Sequence, residues 1–520
     1  MYRLTQAHDV FDASRSCRDV AGATAPAANA DRAYLTGPGS LMRAPHQSSL
    51  QCSFKKLGTE MSNFAIARRS LMSGIPAGLL AAGASARVIG KAYDVDRFGA
   101  RGDGRVKDTA SIQKAIDACA RAGGGTVRLS PGGRYLSGTL FLKDHVTLEI
   151  GQGATLLAST DRVDYGEAGG LIFALNAQDV AVTGRGTIEG QGSTSAWFPT
   201  LVEGTYAVPA PFIGRWNPLE ELPAAMTNPG RPRMIVLVGC RRVQLTDFRI
   251  QDAPTWTIHT IGCEDVLIDG ITIDNNLLVP NCDGIDIDRC RRVRVANCAI
   301  RAGDDCLILK TSRNFTSYGN CEEVTIANCT LESSSAGIKL EPEGLGRIAG
   351  VVIAGCTISR SNRGVALLQR DGAAVEDVIM SDLTITTRRH HPMWWGAAEA
   401  VHVSNMPRQG GMAPGTVRGI RFENLSCRGE GGLFVRGWKG STTRDISFSG
   451  VDVTLEKTSR YAADTSDVRP TSITQGTYKA QIAAVYAEDV ENLKLRDVAV
   501  HWSKPVPSYY GAALATRCVV

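Results

Sequence analysis

Two short segments carry carboxylates at spacings that could do acid–base chemistry. They are Asn281-Cys282-Asp283-Gly284-Ile285-Asp286 and Gly303-Asp304-Asp305-Cys306. If Asp283, Asp304 and Asp305 share one patch, they cannot all stay ionised cheaply, and one must have a raised pKa. A protonated carboxyl beside ionised ones is the equipment for cleaving a glycosidic bond. One group gives a proton to the leaving oxygen and another activates water. Either segment alone reads as well as an Asp-rich turn or a calcium loop. The catalytic reading therefore needs the segments to meet, and needs none of the three to be buried against a permanent cation.

A repeat could make them meet. An apolar-turn-apolar phrase begins at Val243, Val266, Val293, Val324, Val351, Val378, Ile420, Ile446 and Leu493. Its bend position is Asp247, Gly270, Asn297, Asn328, Gly355, Asp382, Asn424, Gly450 or Asp497. Alternation of apolar residues means strand. Asn, Asp and Gly tolerate left-handed backbone and mark the bend between two strands. Most steps are 23 to 31 residues, with two of 42 and 47. Short strands at such a period, with no helical pattern between them, predict a parallel β-helix. The two long steps predict insertions outside the core. Upstream, Asp108 or Thr109 should cap a helix that turns Ile112, Ala115, Ile116 and Cys119 inward and stops at Gly123-Gly124-Gly125. Such a helix would cover the open end of the solenoid. The expected fold class is all-β: one parallel β-helix over residues 92–520 with an N-terminal capping helix.

A third strand follows each phrase, starting with Ile258, Ile285, Leu307, Ile338, Val365, Val401 and Leu433. Two positions earlier stand Trp256, Asp283, Asp305, Ala336, Arg363, Glu399 and Gly431. One position later stand His259, Asp286, Ile308, Lys339, Ala366, His402 and Phe434. Coils stack about 5 Å apart, so the three aspartates should gather at one spot. His259, Asp286, Lys339, Arg363, Arg370 and His402 are the candidate substrate-binding groups. Lys339 and Arg370 read equally as solvated charges, or as partners of Glu341 and Asp371. The repeat breaks at 190–233, 386–400 and 454–490, and these loops carry aromatics such as Trp197, Trp394, Trp395 and Tyr478. Those rings could receive sugars or simply anchor the loops.

Bulk properties exclude little. A net charge of +5 over 520 residues points to neither nucleic acid nor membrane. No apolar run approaches the roughly 18 residues of a spanning helix. Cys240, Cys263, Cys290 and Cys321 form one column and Cys298, Cys329 and Cys356 another. Both read as small buried side chains, although a disulfide between coils is conceivable. No Cys/His spacing resembles a zinc site, and neither metal nor cofactor is expected. Residues 61–86 carry Arg68-Arg69, an Ala/Gly/Leu-rich stretch and Ala84-Ser85-Ala86. That is the pattern of a twin-arginine export signal; a helix packed on the solenoid end is the other reading. Residues 1–60 show no period and read as a disordered or mis-assigned leader before a start at Met61. The expectation is a periplasmic or secreted monomer whose partner is a polysaccharide or oligosaccharide.

From about Tyr93 onward these residues resemble glycoside hydrolase family 28, the polygalacturonase-like enzymes. The family's N-T-D motif appears as Asn281-Cys282-Asp283 and its Asp pair as Gly303-Asp304-Asp305. The resemblance implies a right-handed β-helix, Asp304 as general acid, Asp283 and Asp305 activating water, inversion at the anomeric carbon, and no metal. Two motifs depart from the pattern. The G-H-G histidine is replaced by Ala336. The R-I-K motif aligns with Ala366-Leu367-Leu368, without the cations that grip a galacturonate carboxylate. The resemblance thus implies hydrolysis of an α-linked pectic chain, of galacturonate or rhamnogalacturonan type, and leaves open what holds the carboxylate. A calcium-dependent polysaccharide lyase and a non-catalytic carbohydrate-binding solenoid are the rival readings.

Overall fold

The phrases stack on one another residue for residue. Val243 pairs laterally with Val266, and the column continues through Val293, Val324, Val351, Val378, Ile420, Ile446 and Leu493. In the computed structural model, the described residues are 2–4, 91–194, 196–197, 231–341, 344–391 and 394–519. Each coil contributes three strands, such as Arg291–Ala296, Ala299–Ala302 and Leu307–Lys310. Successive coils pair in parallel, giving the β-helix that the repeat predicts.

All nine bend residues are left-handed, with φ between 51° and 67°. A second left-handed column precedes each phrase: Arg242, Asp265, Arg292, Glu323, Gly350, Asp377, Gly419, Asp445 and Asn492. Asp, Asn or Gly stands at six of its nine positions, but Arg242, Arg292 and Glu323 interrupt the pattern. Its side chains pair along the column. Arg242 Nε lies 2.6 Å from Asp179 Oδ1, and Arg292 Nε lies 2.6 Å from Asp265 Oδ1.

The inward residues form one continuous apolar core. Burying each Val, Leu or Ile is worth about 1.5–3 kcal/mol, so the stack itself carries the stability. Both cysteine columns lie inside it as free, buried thiols. The capping helix is Thr109–Arg121, and Ile112, Ala115, Ile116 and Cys119 are its buried face. Asp108 sits at the N-cap but does not cap. Its carboxylate accepts from the Arg101 and Gly102 amides at 2.7 and 3.0 Å. At the far end Leu514–Val519 adds a strand after the last phrase. Tyr2–Leu4 pairs antiparallel with Val498–Val500. The rest of the expected leader, and the segment at 61–86, lie outside the described residues. No described helix is long and apolar enough to cross a membrane.

The insertions collect at one corner, between the second and third strands of their coils. Residues 275–284, 388–400 and 456–484 all leave the solenoid there. Both expected aspartate segments sit at that corner too. Within the insertion predicted at 454–490, Thr465–Asp467 and Thr477–Lys479 form a two-stranded antiparallel sheet. Of the aromatics expected on loops, Trp197 and Trp394 are buried, while Trp395 and Tyr478 are partly exposed. Most of the 190–233 insertion lies outside the described residues.

Candidate active site

Asp283 ends the 275–284 insertion, just before strand Ile285–Asp288. Asp304 and Asp305 occupy the short link between Ala299–Ala302 and Leu307–Lys310 on the next coil. The Gly284 amide donates to the Asp305 carbonyl at 2.8 Å, which locks the two coils in register. The glycines beside the aspartates are demanded by packing. A Cβ on Gly284 would stand 2.3 Å from the Cys306 carbonyl oxygen, and one on Gly303 would stand 2.3 Å from that of Val279. With both coils so close, one carboxylate oxygen from each of Asp283, Asp304 and Asp305 lies within 4.8 Å of the others.

The three carboxyls are not equivalent. Asp305 is nearly fully buried; Oδ1 accepts from the Ala336 amide at 3.1 Å and Oδ2 from Lys339 Nζ at 2.7 Å. The expectation that none would be buried against a cation is not met: Asp305 has both oxygens engaged, one of them by Lys339. Asp283 is also buried, and its Oδ1 accepts no hydrogen bond. Burial pushes its pKa well up, and repulsion from Asp304 and Asp286 adds to the rise. Asp304 is the partly exposed member, and its Oδ2 accepts from the Asn281 amide at 3.3 Å. Burial and the neighbouring Asp305 raise its pKa to about 7, against the pull of Lys339, the Ser335 hydroxyl and Lys310. Repulsion from Asp304 on Asp283 means that the two cannot both ionise cheaply. With the proton on Asp304, the partly exposed carboxyl is a donor beside Asp283, whose Oδ1 is buried and unpaired.

The six expected binding residues are all buried. His259 and Asp286 lie in the floor of the patch. His259 Nε2 is 3.4 Å from Asp288, and Asp286 Oδ1 is 2.7 Å from Lys310 Nζ. Lys339 is spent on Asp305 and not on Glu341. Arg363, His402 and Arg370 are corrections of a different kind, because they belong to an internal polar network. Arg363 Nε is 3.1 Å from Glu399, and His402 Nδ1 is 2.8 Å from the same carboxylate. Arg370 donates to the carbonyls of Gln369, Ser404 and Val468 and to the Ser404 hydroxyl. Asp371, its expected partner, instead takes Arg408 and Arg313.

That network holds two insertions against the coils. Arg363 donates to the Asp467 carbonyl, the Gly396 amide donates to Asp467 Oδ2 at 2.8 Å, and Arg469 donates to the Trp394 carbonyl at 2.9 Å. Asn362 Nδ2 donates to the Trp395 carbonyl at 2.8 Å, which seats Trp395 with its ring 5.1 Å from Lys339 Nζ.

Sequence reasoning missed Arg233 and Lys310, and saw Trp256 only as a column member. Lys310 Nζ lies 3.6 Å and the Arg233 guanidinium 4.8 Å from the centre of the Trp256 ring. Lys310 could have been found by extending the column reading, since it pairs laterally with Asp288. Arg233 required the strand Arg233–Val238, which lies outside the nine phrases.

Fold and patch together define a pectin-lyase-like β-helix with an acidic cluster at its insertion-bearing corner. The model of glycosyl hydrolases family 28 matches residues 131–387 of the chain. A probable polygalacturonase of Vitis vinifera is 30% identical over 234 residues, 41% of this chain and 43% of that protein. An exo-poly-alpha-D-galacturonosidase of Dickeya chrysanthemi is 26% identical over 252 residues, 41% of each chain. The chain thus spans less than half the length of these two relatives. Among solved structures, the exopolygalacturonase of Thermotoga maritima superposes with a TM-score of 0.59 at 23% identity, over 71% of this chain and 88% of that one. The family 28 exopolygalacturonase of Yersinia enterocolitica gives 0.60 at 17%, over 83% and 77%. A surface adhesin of Streptococcus pneumoniae gives 0.55 at 16%, over 80% and 91%. The fold is therefore shared by proteins whose names denote different roles.

Proposed function

We propose that this chain hydrolyses an α-linked pectic polysaccharide or oligosaccharide of galacturonate type, with inversion at the anomeric carbon. The observation that carries the reading is the meeting of three carboxylate oxygens within 4.8 Å, in a chain that the family 28 model matches. Relatives named for polygalacturonase activity support the substrate class. Asp304, partly exposed and with a raised pKa, gives its proton to the leaving oxygen. Asp283, whose buried Oδ1 is unpaired, serves as the base toward the attacking water. Asp305, held by Lys339, places its carboxylate beside the developing oxocarbenium ion. The protein acts as a monomer in the periplasm or outside the cell, exported by the twin-arginine segment around Arg68-Arg69. The test is a panel of pectic and non-pectic oligosaccharides with products read by mass; new reducing ends from galacturonate chains support the reading, and none from any glycan refutes it.

The lyase reading keeps one specific observation in its favour. Three carboxylates around an unbonded oxygen would also suit a calcium ion. Hydrolysis predicts that a chelator leaves the rate unchanged and that products lack the ultraviolet absorbance of an unsaturated uronide. Chelator-sensitive turnover giving that absorbance would decide for the lyase.

A further inference from the structure

The cations first expected to grip a substrate carboxylate are all engaged. Lys339 holds Asp305, Arg363 holds Glu399, and Arg370 is buried among carbonyls. Lys310, nearer the patch, holds Asp286. A chain that binds an acidic sugar needs a cation that remains available.

We propose that Arg233 is that cation, binding the carboxylate of a uronate ring on the N-terminal side of the three aspartates. This rests on the hydrolase reading of the same site. Arg233 stands two residues before Ile235, which pairs with Ile258, as Trp256 stands two before Ile258. It therefore stands in the column that runs from Gly170 on to Trp256, Asp283 and Asp305. At about 5 Å per coil, its Cα is about two coils from that of Asp283. Its guanidinium leans forward over the Trp256 ring at 4.8 Å, toward the aspartates. The side chain is partly exposed, and among the described residues it makes no ion pair and no side-chain hydrogen bond. Burial lowers its pKa, while Asp286, Asp288 and Asp283 act at longer range to favour its charge. A mostly buried guanidinium over one aromatic face, with no ion pair or side-chain hydrogen bond among the described residues, has N–H donors to offer, and that planar fork matches a carboxylate. Trp256 is the positioning residue, fixing the direction in which the fork points.

The experiment compares kcat/KM for an oligogalacturonide and for its methyl ester, in the wild type and in Arg233→Gln. The acid-over-ester preference should fall about 10- to 100-fold, the loss expected for one charge-assisted hydrogen bond, chiefly through KM on the acid. Arg233→Lys should recover part of it, since Lys keeps the charge without the fork. An unchanged preference, or an equal loss on both substrates, overturns the proposal. A second arm needs no turnover: calorimetric binding of a galacturonate trimer to Asp304→Asn protein, with and without Arg233→Gln. An affinity that does not fall when Arg233 is replaced overturns the proposal even if the wild type cleaves neither substrate, which would itself defeat the hydrolase reading.

Discussion

Lys339 Nζ lies 2.7 Å from Asp305 Oδ2, and both side chains are all but closed to solvent. This pair divides the labour of the acidic patch. With the Ala336 amide, Lys339 engages both oxygens of Asp305, while Asp283 and Asp304 have no cationic partner among the described residues. Removing one partner of a buried pair leaves the other uncompensated, at a cost of about 3–5 kcal/mol. Lys339→Met should therefore lower stability by that order in urea melts. In protein that still folds, the patch should hold its protons to higher pH and the rate profile should shift upward. An unshifted profile would mean that Lys339 does not set the charge of the patch.

The raised pKa of Asp304 has a signed consequence for stability. Its folded value is about 7, against about 3.9 in an unfolded chain. The folded state binds this proton more tightly, so the associated stability is full below about pH 3.9 and is lost as pH rises through about 7. Asp304→Asn removes the titration. It should stabilise the fold by about 1–2 kcal/mol, a size common when a functional strain is relieved, and more at pH 8 than at pH 5. Thermal melts at the two pH values would show it; an equal effect at both would count against a proton held on Asp304. For the same reason, wild-type kcat/KM should fall as pH rises past about 7.

Stereochemistry offers a sharper test, because geometry and kinship pull apart. The nearest oxygens of the three carboxyls are within 4.8 Å. Inverting pairs usually stand about 6.5–9.5 Å apart and retaining pairs about 5–5.5 Å. Inversion is nevertheless expected on the proposed roles, in which Asp283 serves a water molecule instead of bonding to carbon itself. Proton magnetic resonance of the first-formed product from an α-linked substrate should show the β-anomer. An α-anomer would establish a covalent intermediate and reassign Asp283 as nucleophile.

Much of this was legible in the residue order. The register of nine phrases and the bend at Asp247, Gly270, Asn297 and their successors could be read because alternation and left-handed tolerance are local properties of residue type. The meeting of Asp283 with Asp304 and Asp305 followed from that register. The second left-handed column was only partly legible: six of its nine positions are Asp, Asn or Gly, but Arg242, Arg292 and Glu323 interrupt it, with φ values of 53°, 56° and 58°. The partners of the charged residues were not legible. Arg363 finds Glu399 across an insertion and Arg370 finds Val468 on another. A loop's course is set by such distant contacts, which no local pattern encodes.

The central claim is that Asp304 delivers the proton that breaks the glycosidic bond. It is tested most directly by the release of reducing ends from polygalacturonate by wild type and Asp304→Asn, with folding of both checked by circular dichroism. Loss of a general acid should reduce the rate by about 10²–10⁴-fold while the β-sheet spectrum stays unchanged. A folded Asp304→Asn protein that cleaves at the wild-type rate would contradict the account.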